Sequence, residues 1–162
     1  MKNPVITDSF DIELPDLPGN YVLVYHNGCS FEFNHKTLGN HPLYAGWYFY
    51  TGSAHGSGGL RSRIHRHLIA DAKVHWHIDF LKRVMKMQQV WYDLHEVNQE
   101  CMITRTIMSV EGAGIPIKGF GASDCHEGCP AHLVSFTQDV SPDLVYRTLG
   151  TAGLGLVKKI IF

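Results

Sequence analysis

The run Tyr21-Val22-Leu23-Val24-Tyr25 is apolar or aromatic at every position, where a half-wet strand would alternate. Such a strand has no face to give to water, so it must lie centrally in a sheet covered on both sides. A second aromatic-rich run, Trp47-Tyr48-Phe49-Tyr50-Thr51, reads as another strong strand. Between them His26-Asn27-Gly28 is a turn signal, a short alternating strand surrounds Phe31 and Phe33, and residues 34–46 look like loop.

The glycine- and serine-rich stretch Gly52 to Gly59 leads into a helix from about Gly58 to Ala70, with Leu60, Ile64 and Leu68 one turn apart. His77 to Met85 reads as a second helix with Ile78, Leu81 and Met85 inward. Val90-Trp91-Tyr92 is a third strand, and Asn98 can cap a helix carrying Ile103, Ile107 and Val110. Residues 111–131 are irregular, Leu133 to Phe136 form a last short strand, and 141–149 a short helix. A hairpin first and helices later predict an α+β fold, a small antiparallel or mixed sheet flanked by helices. Residues 1–18 are a lead-in, 19–149 the domain and 150–162 a tail.

With 162 residues, 44% hydrophobic and 18% charged, the chain can bury a core without metals or disulfides. A net charge of −1 excludes a binder that works by bulk positive charge. Residues 1–16 have no apolar signal-peptide core and no apolar run is long enough to span a membrane, so a cytoplasmic setting with reduced thiols is expected.

The charge is unevenly placed. Arg61, Arg63, Arg66, Lys73, Lys82, Arg83 and Lys86 face only Asp71 and Asp79 across residues 61–86, which also hold His65, His67, His75 and His77. A solvated helix face is one reading. The other is a phosphate site, since the positive charge lies where a glycine-rich loop meets a helix start. Arg63 and His67 share one helix side, and a guanidinium can hold a phosphate in bidentate fashion. Glu100 lies on the inward stripe of its helix, where a carboxylate must be paired, protonated or bound to metal. One carboxylate with waters and a substrate phosphate is how Mg²⁺ is usually held. Tyr21 and Tyr50 sit on the two strongest strands, and Tyr50 runs directly into the basic loop. Cys125, Cys129 and His132 have the residue types of a zinc half-site, with Cys101, His126 or the pair His75/His77 as sources of a fourth ligand. The alternative is buried thiols beside a hydrogen-bonded His.

Taken together these residues resemble the GIY-YIG nuclease superfamily. Gly19-Asn20-Tyr21 matches its first motif and Tyr50-Thr51-Gly52 its second, followed by Leu60, Arg63, His67 and, on a later helix, Glu100. The wording is similar to the Uri-type branch, also found fused to archaeal endonuclease III: Tyr50-Thr51-Gly52-Ser53-Ala54, Gly58-Gly59-Leu60, Arg66-His67, His75-Trp76-His77-Ile78-Asp79, Glu100-Cys101, and Gly119 through Cys125 to His132-Leu133. The resemblance spans roughly residues 19–137.

It implies metal-dependent hydrolysis of a nucleic-acid phosphodiester, DNA before RNA. Glu100 would bind one Mg²⁺ or Mn²⁺, and Arg63 would stabilise charge on the scissile phosphate. Tyr21 would deprotonate or orient the attacking water, with Tyr50 and His67 completing the network. A tyrosine is a poor base unless cations lower its pKa; Arg63, a nearby His and the metal are the expected source. Ser53, His55, Arg61, Arg66, Lys73, His75 and His77 are the expected nucleic-acid contacts. Without an appended DNA-binding domain, a second DNA-binding or repair protein is an expected partner. A non-cleaving nucleic-acid binder and a zinc-stabilised interaction protein are the competing readings.

Overall fold

In the computed structural model, which describes residues 12–69, 73–137 and 139–161, the Tyr21 run is the middle of the sheet. Expectations that fall on 1–11, on 70–72, on 138 or on 162 lie outside the described residues. Strand β1 (Gly19–Asn27) pairs antiparallel with β4 (Gly46–Ala54) on one side and with β5 (Lys86–Tyr92) on the other. β6 (Leu133–Phe136) adds to β4 and β7 (Val157–Ile160) to β5, giving the order β6-β4-β1-β5-β7. Every neighbouring pair is antiparallel. The fold is α+β.

The two-residue period of β1 divides the core. Tyr21, Leu23 and Tyr25 face α1 (Gly59–Leu68), the single turn α2 (Ile78–Leu81) and the hairpin of β2 (Phe31–His35) and β3 (Gly39–Leu43). Val22 and Val24 face α3 (Glu100–Met108) and α4 (Pro142–Thr151), with Trp91, Ile103, Ile107 and Leu149 in the same cluster. All five residues of the 21–25 run are at most 2% exposed, which is why the run holds only aliphatic and aromatic side chains.

Three elements differ from expectation. Residues 34–46 hold β3, because Asn40 and His41 pair with Asn34 and Phe33 in a hairpin whose Gly39 has φ +84°. The helix expected over 77–85 is one turn plus turn structure: Lys82 N–H reaches Ile78, and Val84 and Met85 both close on Leu81. Ile78, Leu81 and Met85 are buried as the periodicity predicts. Beyond residue 149, where no element was expected, α4 runs on to Thr151 and β7 pairs with β5. No described helix is long and apolar enough to cross a membrane.

Candidate active site and metal centre

At one end of β1 and β4, Tyr21 stands opposite Gly52 in the antiparallel register. A cleft of about 470 Å³ opens there, lined by Tyr21, Tyr50, Arg63 and Glu100 among others. Four of the five residues proposed for catalysis thus share its walls. The fifth, His67, lies behind Tyr21, its Nε2 2.9 Å from the phenol oxygen.

The five come from four elements. Tyr21 and Tyr50 lie on the same face of neighbouring strands and pack into one cluster with α1. α1 brings Arg63 and His67, one turn apart. Glu100 is the first residue of α3, and buried Asn20 fixes that start. The Asn20 side-chain amide donates to Asp93 (3.1 Å) and to Val97 O (3.1 Å), while its Oδ1 accepts from Gln99 N–H (2.9 Å). Asn98 Oδ1 then accepts from Glu100 N–H at 2.9 Å. The middle residue of the first motif therefore ties the central strand to the segment that delivers Glu100.

Burial pushes the pKa of both Tyr21 and Tyr50 up, and Arg63 opposes the rise. Desolvation drives the His67 pKa down to about 3. His67 is therefore neutral and brings no charge to the cleft; the lasting positive charge on its wall is Arg63. His67 Nδ1 has no hydrogen-bond partner among the described residues, so the ring is held by burial and by Tyr21 alone.

Folding keeps His67 unprotonated while the unfolded chain takes up a proton near pH 6.5. The stability this provides is whole above pH 6.5 and is lost as pH falls toward 3. Urea midpoints measured from pH 7.5 to 5 should fall less steeply for His67→Gln than for the wild type; parallel slopes would refute the neutral assignment.

Trp76 organises the guanidinium side. Arg63 and Arg66 sit over its ring at 4.6 and 4.5 Å, a pair of cation–π contacts that stiffens two long side chains. Its backbone N–H, with that of His75, donates to Asp79 Oδ2 (2.9 and 2.8 Å), and Asp79 pairs with Lys82 at 3.2 Å. In the sequence Asp79 stands as a charge and as the last residue of the His75–Asp79 match, with no role assigned; its fully buried carboxylate anchors the turn that presents Trp76.

The expected nucleic-acid contacts divide. Ser53 and His55 line the cleft. Arg66, stacked on Trp76, donates to Lys73 O at 2.7 Å and is not part of the cleft lining. Arg61 is engaged with Leu14 O (2.9 Å) and Asp16 (3.1 Å), away from the cleft. Lys73 and His75 are exposed outside its lining. His77 accepts from Gly121 N–H through Nδ1 at 2.9 Å, holding the 111–131 segment.

Beside the cleft, Cys101, Cys125, Cys129 and His132 bring one ligand atom each to within 4.8 Å of one another. This is a cluster that can hold a metal ion, and Cys101 is its fourth member. Cys101 follows Glu100 on α3, and its Sγ is 3.3 Å from Cys125 Sγ and 3.6 Å from His132 Nε2. Burial raises the Cys125 thiol, but hydrogen bonds from the backbone at Cys129 and Glu127 and from Cys101 outweigh it and bring the pKa to about 6. His132 Nδ1 stands 3.1 Å from Glu100 Oε2. Burial works against charge on both, yet His132 and Ser53 hold the Glu100 carboxyl below its usual value, and Glu100 holds the imidazole above its own.

The fold and site define an antiparallel α+β protein with a Tyr/Arg/Glu cleft at one end of the sheet and a thiol-rich metal-ligating cluster next to it. Within that class the chain belongs to the family described as domain of unknown function DUF123, whose model matches residues 20–152. No curated protein and no solved structure matches it.

Proposed function

We propose that the protein is a metal-dependent endonuclease of the GIY-YIG type, Uri branch, hydrolysing phosphodiester bonds in nucleic acid, DNA before RNA. The observation that carries this reading is that Tyr21, Tyr50, Arg63 and Glu100 share one open cleft, with His67 bonded to Tyr21. These are the residues the sequence resemblance singles out.

The donor set fits two different ions. Glu100 offers a hard carboxylate on the wall of an open cleft, which suits one Mg²⁺ or Mn²⁺ completed by water and phosphate. The three thiols and one imidazole are soft ligands, which suit Zn²⁺. An ion with metal–sulfur bonds of ~2.3 Å draws such a set to a little under ~4 Å apart, close to the spacing present. The divalent ion at Glu100 would neutralise developing charge on the phosphate.

The chain's own side chains do the rest. Arg63, braced on Trp76, holds a non-bridging phosphate oxygen. Tyr21, fixed by His67, aligns the attacking water through its phenol oxygen. Tyr50 borders the same space and limits the water that enters it. Burial alone keeps both phenols protonated, so proton removal by Tyr21 depends on the cationic field gathered when substrate and ion are present. A partner that supplies further DNA contact suits the small size of the cleft.

Nicking of labelled DNA and RNA with Mg²⁺ or Mn²⁺ tests the proposal. Glu100→Ala, assayed with zinc saturating, should cleave at least ~10³-fold more slowly, because several kcal/mol of charge stabilisation are lost at ~1.4 kcal/mol per decade. Equal cleavage by both proteins would refute it.

A further inference from the structure

The side chain of His132 spans the gap between the two sites. Its backbone N–H donates to Phe120 O at 2.7 Å, and its carbonyl accepts from Thr51 N–H at 2.9 Å. The main chain is therefore pinned to the strand that carries Tyr50, and the ring has little freedom. One ring nitrogen, Nδ1, lies 3.1 Å from Glu100 Oε2, within ion-pair reach though not aligned as a hydrogen bond; the other, Nε2, faces Cys101 Sγ at 3.6 Å. The two groups it touches are consecutive residues of one helix. The ring is 3% exposed and the carboxylate 19%.

A neutral imidazole has one N–H and one bare nitrogen, and only the bare one can ligate a metal. A carboxylate 3.1 Å from Nδ1 favours the proton there through its charge and leaves Nε2, which is aimed at the thiols, as the bare nitrogen. Carboxylates placed behind metal-bound histidines in this way orient the ring and make it a stronger donor.

We propose that Glu100 is a positioning residue for the Cys101/Cys125/Cys129/His132 metal cluster, holding His132 as its Nε2 ligand, so that a single acid serves both the cluster and the cleft. The positioning role rests on the zinc reading of the cluster; the acid's second service, to the cleft, rests on the proposed nuclease function. Its consequence is regulatory: metal loss from the cluster frees His132 and disturbs the acid the cleft uses, and by linkage the disturbance runs both ways.

The test is zinc affinity, measured under reducing conditions on the full chain by competition with a chromophoric chelator. Glu100→Ala should bind zinc 10–100-fold more weakly than the wild type. Glu100→Gln should recover part of the loss, because its amide oxygen still accepts from Nδ1–H. Glu127→Ala removes an acid beside the same cysteines whose carboxylate pairs with Arg105, and should change affinity less than ~2-fold. Co²⁺ in place of zinc should show the charge-transfer bands of three thiolates in all four proteins, which reports that the cluster has formed. Unchanged affinity in Glu100→Ala, or an equal loss in Glu127→Ala, overturns the proposal and leaves the zinc reading standing. A wild-type protein that takes up no zinc overturns both, and leaves the nuclease reading to its own assay.

Discussion

Arg63→Ala should lower the cleavage rate by ~10²–10³-fold, the usual cost of removing a preorganised donor from a developing oxyanion. Nucleic-acid binding should weaken only modestly, with the slope of log affinity against log salt shallower by about one. Arg63→Lys should recover little. Lysine keeps the charge, but it has no planar face to lie on Trp76 at 4.6 Å and no fork to hold two phosphate oxygens. A lysine variant with near wild-type cleavage would mean that charge alone matters at this position. Single-turnover rates and fluorescence anisotropy, taken together, separate the two contributions.

The second large effect comes from a residue with no side chain. A Cβ added to Gly52 would lie 2.5 Å from both Cζ and Oη of Tyr21 and 2.8 Å from Cε2. That phenol is 2% exposed and bonded to His67, so it has no free direction in which to retreat. Gly52→Ala should therefore displace the hydroxyl by about 1 Å and cost ~10²-fold in cleavage. Gly150→Ala, in α4 with nothing within 4 Å of its new methyl, should cleave normally and gain up to ~1 kcal/mol in stability. Wild-type activity in Gly52→Ala would remove Tyr21 from the proposed chemistry.

Gly52 also shows why parts of the site were readable and others were not. The strands, the first helix and the inward stripe of α3 are written in periodicity, and so were available from the residues. The convergence of Tyr21, Tyr50, Arg63 and Glu100 came from motif order, not from physics acting on neighbours in the chain. Asp79 could not be read that way: its partners are backbone N–H groups and Lys82, and nothing local says that a carboxylate in a basic stretch is buried. The hairpin strand β3 was hidden by Gly39, Asn40 and Pro42, which signal loop, although Pro42 can sit on a strand that has no second neighbour. β7 is four residues with two lysines, too short and too polar to carry a strand signal. Cys101 was one of several candidates for a fourth ligand, because ligand identity depends on which helix turn faces the 125–132 loop.

The same shortness of β7 bears on how the molecule behaves in a crowded solution. An open sheet leaves two outer rows of backbone donors and acceptors, which invite stacking with other copies. Here one margin is only four residues long; it bears Lys159, while Lys158 is paired with Asp143. The other, β6, has Ser135 already bonded to Gly114 on its outward side. Both borders are thus short or already capped, which limits the length of backbone another copy could pair with.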